Sequence, residues 1–109
     1  MTGVQTCALP IFSDDAGFLF ETAQYHARKC EYEKAIDFYE QSWEAESNQK
    51  PRFTDALDAI ATIYVIMNNT DKTIETYDRL IACLKNEWGY KDDDAAVIDV
   101  ERKKKALSK

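Results

Sequence analysis

Apolar residues recur along much of this chain at alternating spacings of three and four, which is the period of one face of an α-helix. The pattern is clearest in two stretches that flank a polar segment, Asn68 to Asp71. The apolar positions are Phe53, Leu57, Ile60, Tyr64 and Met67, followed by Ile74, Tyr77, Ile81, Leu84 and Trp88. Because asparagine tolerates left-handed backbone and Thr70 or Asp71 can cap a helix, the pattern predicts a helical hairpin.

The first half of the chain has the same layout. One helix is marked by Leu19, Ala23 and His26, and a break is expected at Lys29 to Glu31. The second helix is marked by Tyr32, Ala35, Ile36, Tyr39 and Trp43. The sequence therefore predicts two successive hairpins.

Signals for helix starts and ends complete the outline. Pro51 fits the first turn of the third helix, where a missing N–H costs little, and Gly89 fits the left-handed position that ends the fourth. Acidic residues 92–94 and basic residues 102–105 suit the two ends of a fifth helix. Its thin apolar stripe is Val97, Val100 and Leu107. The predicted fold class is all-α.

This repetition resembles the tetratricopeptide repeat (TPR), a helical hairpin that stacks into a solenoid. In the first hairpin, Tyr32, Ala35 and Tyr39 match the aromatic, small, aromatic pattern of the family's second helix. In the second hairpin, Thr73 and Tyr77 stand at the corresponding small and aromatic positions. The family's large, small, large triplet of the first helix is matched by Leu57, Ala61 and Tyr64, and less well by Leu19, Ala23 and His26.

The chain also departs from the family pattern. Cys30 and Asn68 replace the turn glycine, Ser47 stands where a closing proline is usual, and Ala35 and Thr73 lie 38 residues apart. The family's period is about 34 residues, so the loop between repeats is longer. The resemblance implies antiparallel hairpins stacked as a short TPR-like solenoid within residues 13–109. Repeat one covers about 15–47, repeat two about 51–88, and a capping helix about 93–107.

Residues 1–12, Met-Thr-Gly-Val-Gln-Thr-Cys-Ala-Leu-Pro-Ile-Phe, resemble a translated short-read sequencing adapter. We expect this segment to be artefactual and disordered, and the rest to be a fragment of a longer bacterial TPR-like protein. The alternative is that these residues are a genuine N-terminal segment.

Charge and cysteine usage narrow the function classes. With 14 Lys and Arg against 20 Asp and Glu, the net charge of −6 disfavours nucleic acid as a partner. No apolar run is long enough for a membrane span. Cys30 and Cys83 form no metal-ligand spacing, so we predict free thiols, no metal, no cofactor and a cytoplasmic location.

Proteins of the TPR family usually bind a peptide or partner helix on the concave face formed by the first helix of each repeat. The resemblance places six peptide-groove candidates on that face: Phe20, Gln24, Arg28, Asp58, Thr62 and Val65. The alternative is a solvated helix face, or one covered by missing N-terminal repeats. Chaperone-binding members of the family hold a C-terminal carboxylate with Lys, Arg and Asn side chains, whereas this chain offers Asp55 and Asp58. A basic or apolar segment is therefore the expected ligand.

No motif indicates an enzyme. His26 and Cys30 are spaced to share a helix face and could suggest catalysis or metal ligation, but no acid is evident to orient the imidazole. We therefore interpret both as packing residues. Residues 103–105, three lysines, suit a helix C-terminus better than an anion-binding patch. Trp43, Trp88 and the tyrosines are predicted to be packing residues rather than a ligand cage.

The predicted function is thus a non-catalytic protein- or peptide-binding module. The alternative is a regulatory or sensor domain of a transcriptional regulator or signalling protein whose effector domain is missing. Because stable solenoids usually need three repeats, self-association through an exposed terminal repeat is also expected.

Overall fold

The computed structural model describes residues 15–107, and within this range the chain forms five α-helices and no strand. The predicted all-α class is confirmed. The helices are α1 (Ala16–Arg28), α2 (Tyr32–Ala45), α3 (Asp55–Ile66), α4 (Thr70–Asn86) and α5 (Ala95–Leu107). They fall into two compact units, which divide after Asn48: unit 1 holds α1 and α2, and unit 2 holds α3, α4 and α5. The adapter-like segment, residues 1–12, lies outside the described residues.

Unit 1 is an antiparallel pair of helices. The hydroxyl of Ser42, late in α2, donates a hydrogen bond of 2.9 Å to the carbonyl of Ala16 at the start of α1. The buried apolar side chains follow the predicted stripes: Leu19, Ala23, Ala35, Ile36, Tyr39 and Trp43. Ala23 and Ala35 are completely buried, so small side chains allow the two helices to approach closely.

The same turn closes both hairpins. Cys30 and Asn68 follow the ends of α1 and α3 with φ of 62° and 59°, in the left-handed region. In the first turn, the N–H of Cys30 donates to the Ala27 carbonyl, and the next N–H donates to the His26 carbonyl. In the second turn, the N–H of Asn68 donates to the Val65 carbonyl. The next N–H donates to the carbonyl of the third residue from the end of α3, as the corresponding N–H does in α1. This is the Schellman pattern, with a non-glycine residue where glycine is usual.

Unit 2 buries its core around α4, which packs against both α3 and α5. Fully or almost fully covered side chains come from all three helices: Leu57, Ile60, Ala61, Thr73, Thr76, Leu80 and Val97. The buried threonines keep their hydroxyls satisfied by donating to carbonyls one turn earlier, at 2.8 Å in each case. Packing of α5 uses the predicted Val97 and Val100, and Leu107 is half-buried.

Two predicted helix starts in unit 2 were wrong. Pro51 is not in the first turn of α3, because the helix begins at Asp55 and the intervening segment is held by contacts with the end of α4. Neither Thr70 nor Asp71 caps α4. Instead, the side-chain oxygen of Asn69 accepts the Lys72 N–H at 3.1 Å, as a polar residue one position earlier can do.

The end of α4 and the start of α5 follow the sequence signals. Gly89 has φ of 75°, and the Tyr90 N–H donates to the Leu84 carbonyl at 2.9 Å. α5 starts directly after Asp94, whose carbonyl accepts the Ile98 N–H at 3.0 Å. The backbone therefore reverses at the glycine and begins a new helix within a few residues.

The ends of the predicted apolar stripes are not buried. Phe53 and Trp88 lie just outside α3 and α4 and are 65 % and 36 % exposed. Met67, at the end of α3, is 37 % exposed. Tyr25 and Tyr90 are 52 % and 37 % exposed, so these two rings and Trp88 lie outside the buried core. Helical spacing identifies a face, but only residues covered by a neighbouring helix become core.

Candidate binding faces

The three candidates on α1 differ in how far they are available to a ligand. Phe20 is half-buried and its ring packs edge-on against Tyr39, with centroids 5.2 Å apart. Gln24 is half-buried, and Arg28 is exposed at the last position of the helix. Spacings of four place the three on one stripe of α1. Phe20 therefore contributes the edge of a packed ring, while Arg28 offers a guanidinium near a helix C-terminus, where a cation is favoured.

All three candidates on α3 are exposed. Asp58 lies in the first turn of the helix, Thr62 one turn later, and Val65, 46 % exposed, near its end. The Thr62 hydroxyl donates to the Asp58 carbonyl at 3.0 Å, so its oxygen remains able to accept a hydrogen bond. Together they form a stripe that carries one charge, one hydroxyl and one apolar side chain.

The exposed stripe of α3 is acidic at the start of the helix. Asp55 and Asp58 both lie in the first turn, where the helix dipole favours negative charge. On α5, Lys103 has a raised pKa, mainly because of its hydrogen bond to Asp99, with a smaller contribution from the charge of Asp58. Asp58 therefore lies close enough to Lys103 of α5 for the two charges to interact.

The expectation that His26 and Cys30 share a helix face was wrong. α1 ends at Arg28, and Cys30 lies in the left-handed turn, exposed, with the Tyr32 hydroxyl 3.5 Å from its sulfur. The expectation that no acid orients the imidazole was also wrong. Nδ1 of His26 lies 2.7 Å from a carboxylate oxygen of Glu31, and this contact lowers the pKa of Glu31.

Packing accounts for the position of the imidazole. The His26 ring stacks on Phe38 of α2 with centroids 5.3 Å apart and an angle of 3° between planes, and its side chain is 18 % exposed. This arrangement joins α1, α2 and the turn between them. His26 is therefore a packing residue of the hairpin.

Sequence reasoning missed a cluster at the carboxyl end of α4. The Glu87 carboxylate accepts four hydrogen bonds from Arg52, including one of 2.9 Å from the backbone N–H and one of 2.7 Å from Nη2. Lys50 Nζ lies 3.3 Å from the same carboxylate. Both members of the main pair are largely buried, with side chains 14 % and 9 % exposed for Arg52 and Glu87. We call Lys50, Arg52 and Glu87 the α4-end cluster.

The α4-end cluster changes the titration of two groups. Hydrogen bonds from Arg52 lower the pKa of Glu87 to about 2, against the opposing effect of desolvation. Burial raises the pKa of the nearby Cys83 thiol to about 11, and the negative charge of Glu87 adds to the effect. Glu87 is therefore ionised at neutral pH, whereas Cys83 is a neutral and poorly nucleophilic thiol.

Three aromatic rings lie beside the α4-end cluster. Trp88 donates its indole N–H to the Arg52 carbonyl at 2.7 Å. The centroid of its ring lies 6.5 Å from that of the Phe53 ring and 6.3 Å from that of the Tyr90 ring. We call Phe53, Trp88 and Tyr90 the aromatic row. The hydrogen bond fixes the orientation of the indole, and the row leaves a large part of each ring exposed.

The C-terminal lysines are partly engaged in ion pairs. Lys103 pairs with Asp99 at 3.3 Å, and Lys104 pairs with Asp78 of α4 at 2.7 Å. The second pair raises the pKa of Lys104 through its hydrogen bond to Asp78. The Lys104 pair joins α5 to α4, whereas the Lys103 pair lies within α5.

Surface depressions lie away from the six candidates. One in unit 1 is lined by Leu19, Glu40, Gln41, Glu44, Ala45, Ser47 and Asn48. One in unit 2 is lined by Asp92, Ile98, Glu101, Arg102, Lys104 and Lys105. Neither of these two sets includes a groove candidate.

Within residues 15–107, no three His, Cys, Asp or Glu side chains come together in a way that could hold a metal ion. None of the five helices combines the length and apolar character that crossing a membrane requires.

No protein-family model, curated protein or solved structure matches this chain.

Proposed function

We propose that this protein is a non-catalytic module that binds protein or peptide segments through exposed helix faces, one on α1 in unit 1 and one on α3 in unit 2. The observation that carries the proposal is the division of α3 into two faces. Leu57 and Ala61 are buried at 0 % and 1 % exposure, whereas Asp58, Thr62 and Val65 are exposed on the same helix. A helix with one face buried and a mixed charged, polar and apolar face exposed has the surface that a partner segment requires.

The architecture that best accommodates this function is a pair of tetratricopeptide-like repeats. The resemblance is supported by two hairpins with the same Schellman turn and by completely buried alanines at the family's small positions, Ala23 and Ala35. In this proposal α5 caps the second repeat. The free thiols of Cys30 and Cys83 support a reducing, cytoplasmic location.

The charges of α3 favour a basic or apolar ligand. Asp55 and Asp58 provide two carboxylates in the first turn of the exposed face, and Val65 provides an apolar contact near its end. A peptide with lysines or arginines beside an aliphatic residue complements both features. An acidic peptide end is repelled by the same carboxylates.

The experiment compares two fluorescent peptides of equal length, one with Lys-Leu repeats and one with Glu-Leu repeats, by anisotropy at low salt. We expect the basic peptide to bind more tightly. The variant Asp58→Lys should weaken its binding about three- to tenfold, since a charge reversal at an exposed contact changes binding by about 1 kcal/mol.

The matched control is Glu75→Lys, which reverses an exposed charge on α4 of the same unit and keeps the same change in net charge. This variant should weaken binding of the basic peptide less than Asp58→Lys does, because it changes the overall charge but not the proposed contact. Equal affinity of the two peptides, or equal effects of the two variants, would contradict the proposed face.

A further inference from the structure

We draw no further inference here: the strongest candidate, the exposed aromatic row of Phe53, Trp88 and Tyr90 beside the carboxyl end of α4, is an apolar surface for which nothing in the structure shows what covers it.

Discussion

The contact between Arg52 and Glu87 should be a major source of stability in unit 2, and Glu87→Gln tests it. The substitution keeps the side-chain shape but removes the charge that accepts four hydrogen bonds from Arg52. A pKa of about 2, against an ordinary value of 4.5, corresponds to about 3 kcal/mol of stabilisation at neutral pH. Breaking one side of a buried ion pair costs a similar amount, about 3–5 kcal/mol. We therefore expect a loss of about 3 kcal/mol.

The assay is urea unfolding followed by tryptophan fluorescence. The chain has two tryptophans, Trp43 in unit 1 and Trp88 in unit 2. In a Trp43→Phe background, the remaining indole reports on unit 2 and sits directly beside the altered contact. The free energy of unfolding should be taken from the transition midpoint and slope, because the fluorescence intensity itself will change with the local environment.

The pH dependence gives a second, independent readout. The pKa of Glu87 is lower in the folded protein than in the unfolded chain, so the unfolded chain binds the proton more readily between these values. Its contribution is fully present above about pH 5 and is lost as the pH falls toward 2. The difference in stability between the parent and Glu87→Gln should shrink over this range.

Glu75→Gln is the control for this prediction. Glu75 pairs with Lys72 at 3.4 Å on the surface of α4, with a side chain that is 64 % exposed. Such pairs contribute about 0–0.5 kcal/mol, so this variant should unfold like the parent. Equal losses in the two variants, or a Glu87→Gln effect that does not change between pH 5 and pH 2.5, would contradict a stabilising role for the contact between Arg52 and Glu87.

Three further predictions concern the turns, the core and the thiols. Cys30→Gly should stabilise unit 1 by about 0.5–1 kcal/mol in thermal unfolding, because glycine adopts the left-handed turn without strain; unchanged or lower stability would contradict this. Ala35→Leu should destabilise unit 1 by about 1–3 kcal/mol in urea, since this position is completely buried; a neutral effect would show that the space between α1 and α2 can hold a larger side chain. In a Cys7→Ser, Cys30→Ser background, Cys83 should react with a disulfide reagent only as fast as unit 2 opens, because the residue is only 4 % exposed and the pKa of its thiol is raised to about 11; rapid native-state reaction would contradict its burial.

The hairpins could be predicted because the information that specifies them is local. The three-and-four spacing identified the buried residues Leu57, Ile60 and Leu84, and the polar positions after α1 and α3 identified the turns. Asn68 was expected to tolerate left-handed backbone, and it does adopt a positive φ. Helical period and turn chemistry act over a few residues, so a single sequence contains them.

The α4-end cluster could not be predicted because its partners are distant in sequence. Arg52 and Glu87 are separated by 35 residues, and neither occupies a position that the helical pattern distinguishes. α3 also starts at Asp55, beyond Pro51, which local rules place inside the helix. Likewise, Phe53 and Trp88 continue apolar stripes in the sequence but lie beyond the helix ends and are exposed.

The candidate faces depended on the family resemblance as well as on the helical pattern. Periodicity alone separates buried from exposed positions on α3, and this separation is seen at Ala61 and Thr62. It does not distinguish a ligand-binding face from one that contacts only water. The packing of Phe20 against Tyr39 shows that a position carried over from a family can be partly occupied by the protein's own core.

The most direct test of the binding proposal is an amide NMR titration of the ¹⁵N-labelled protein with the Lys-Leu peptide at low salt, with the Glu-Leu peptide as the comparison. We expect saturable shifts that concentrate on the exposed stripe of Asp58, Thr62 and Val65 and on Gln24 and Arg28 of α1, and that weaken as salt is added. Saturable shifts confined to α2, α4 or α5, or no shifts with the basic peptide, would contradict the proposed binding faces.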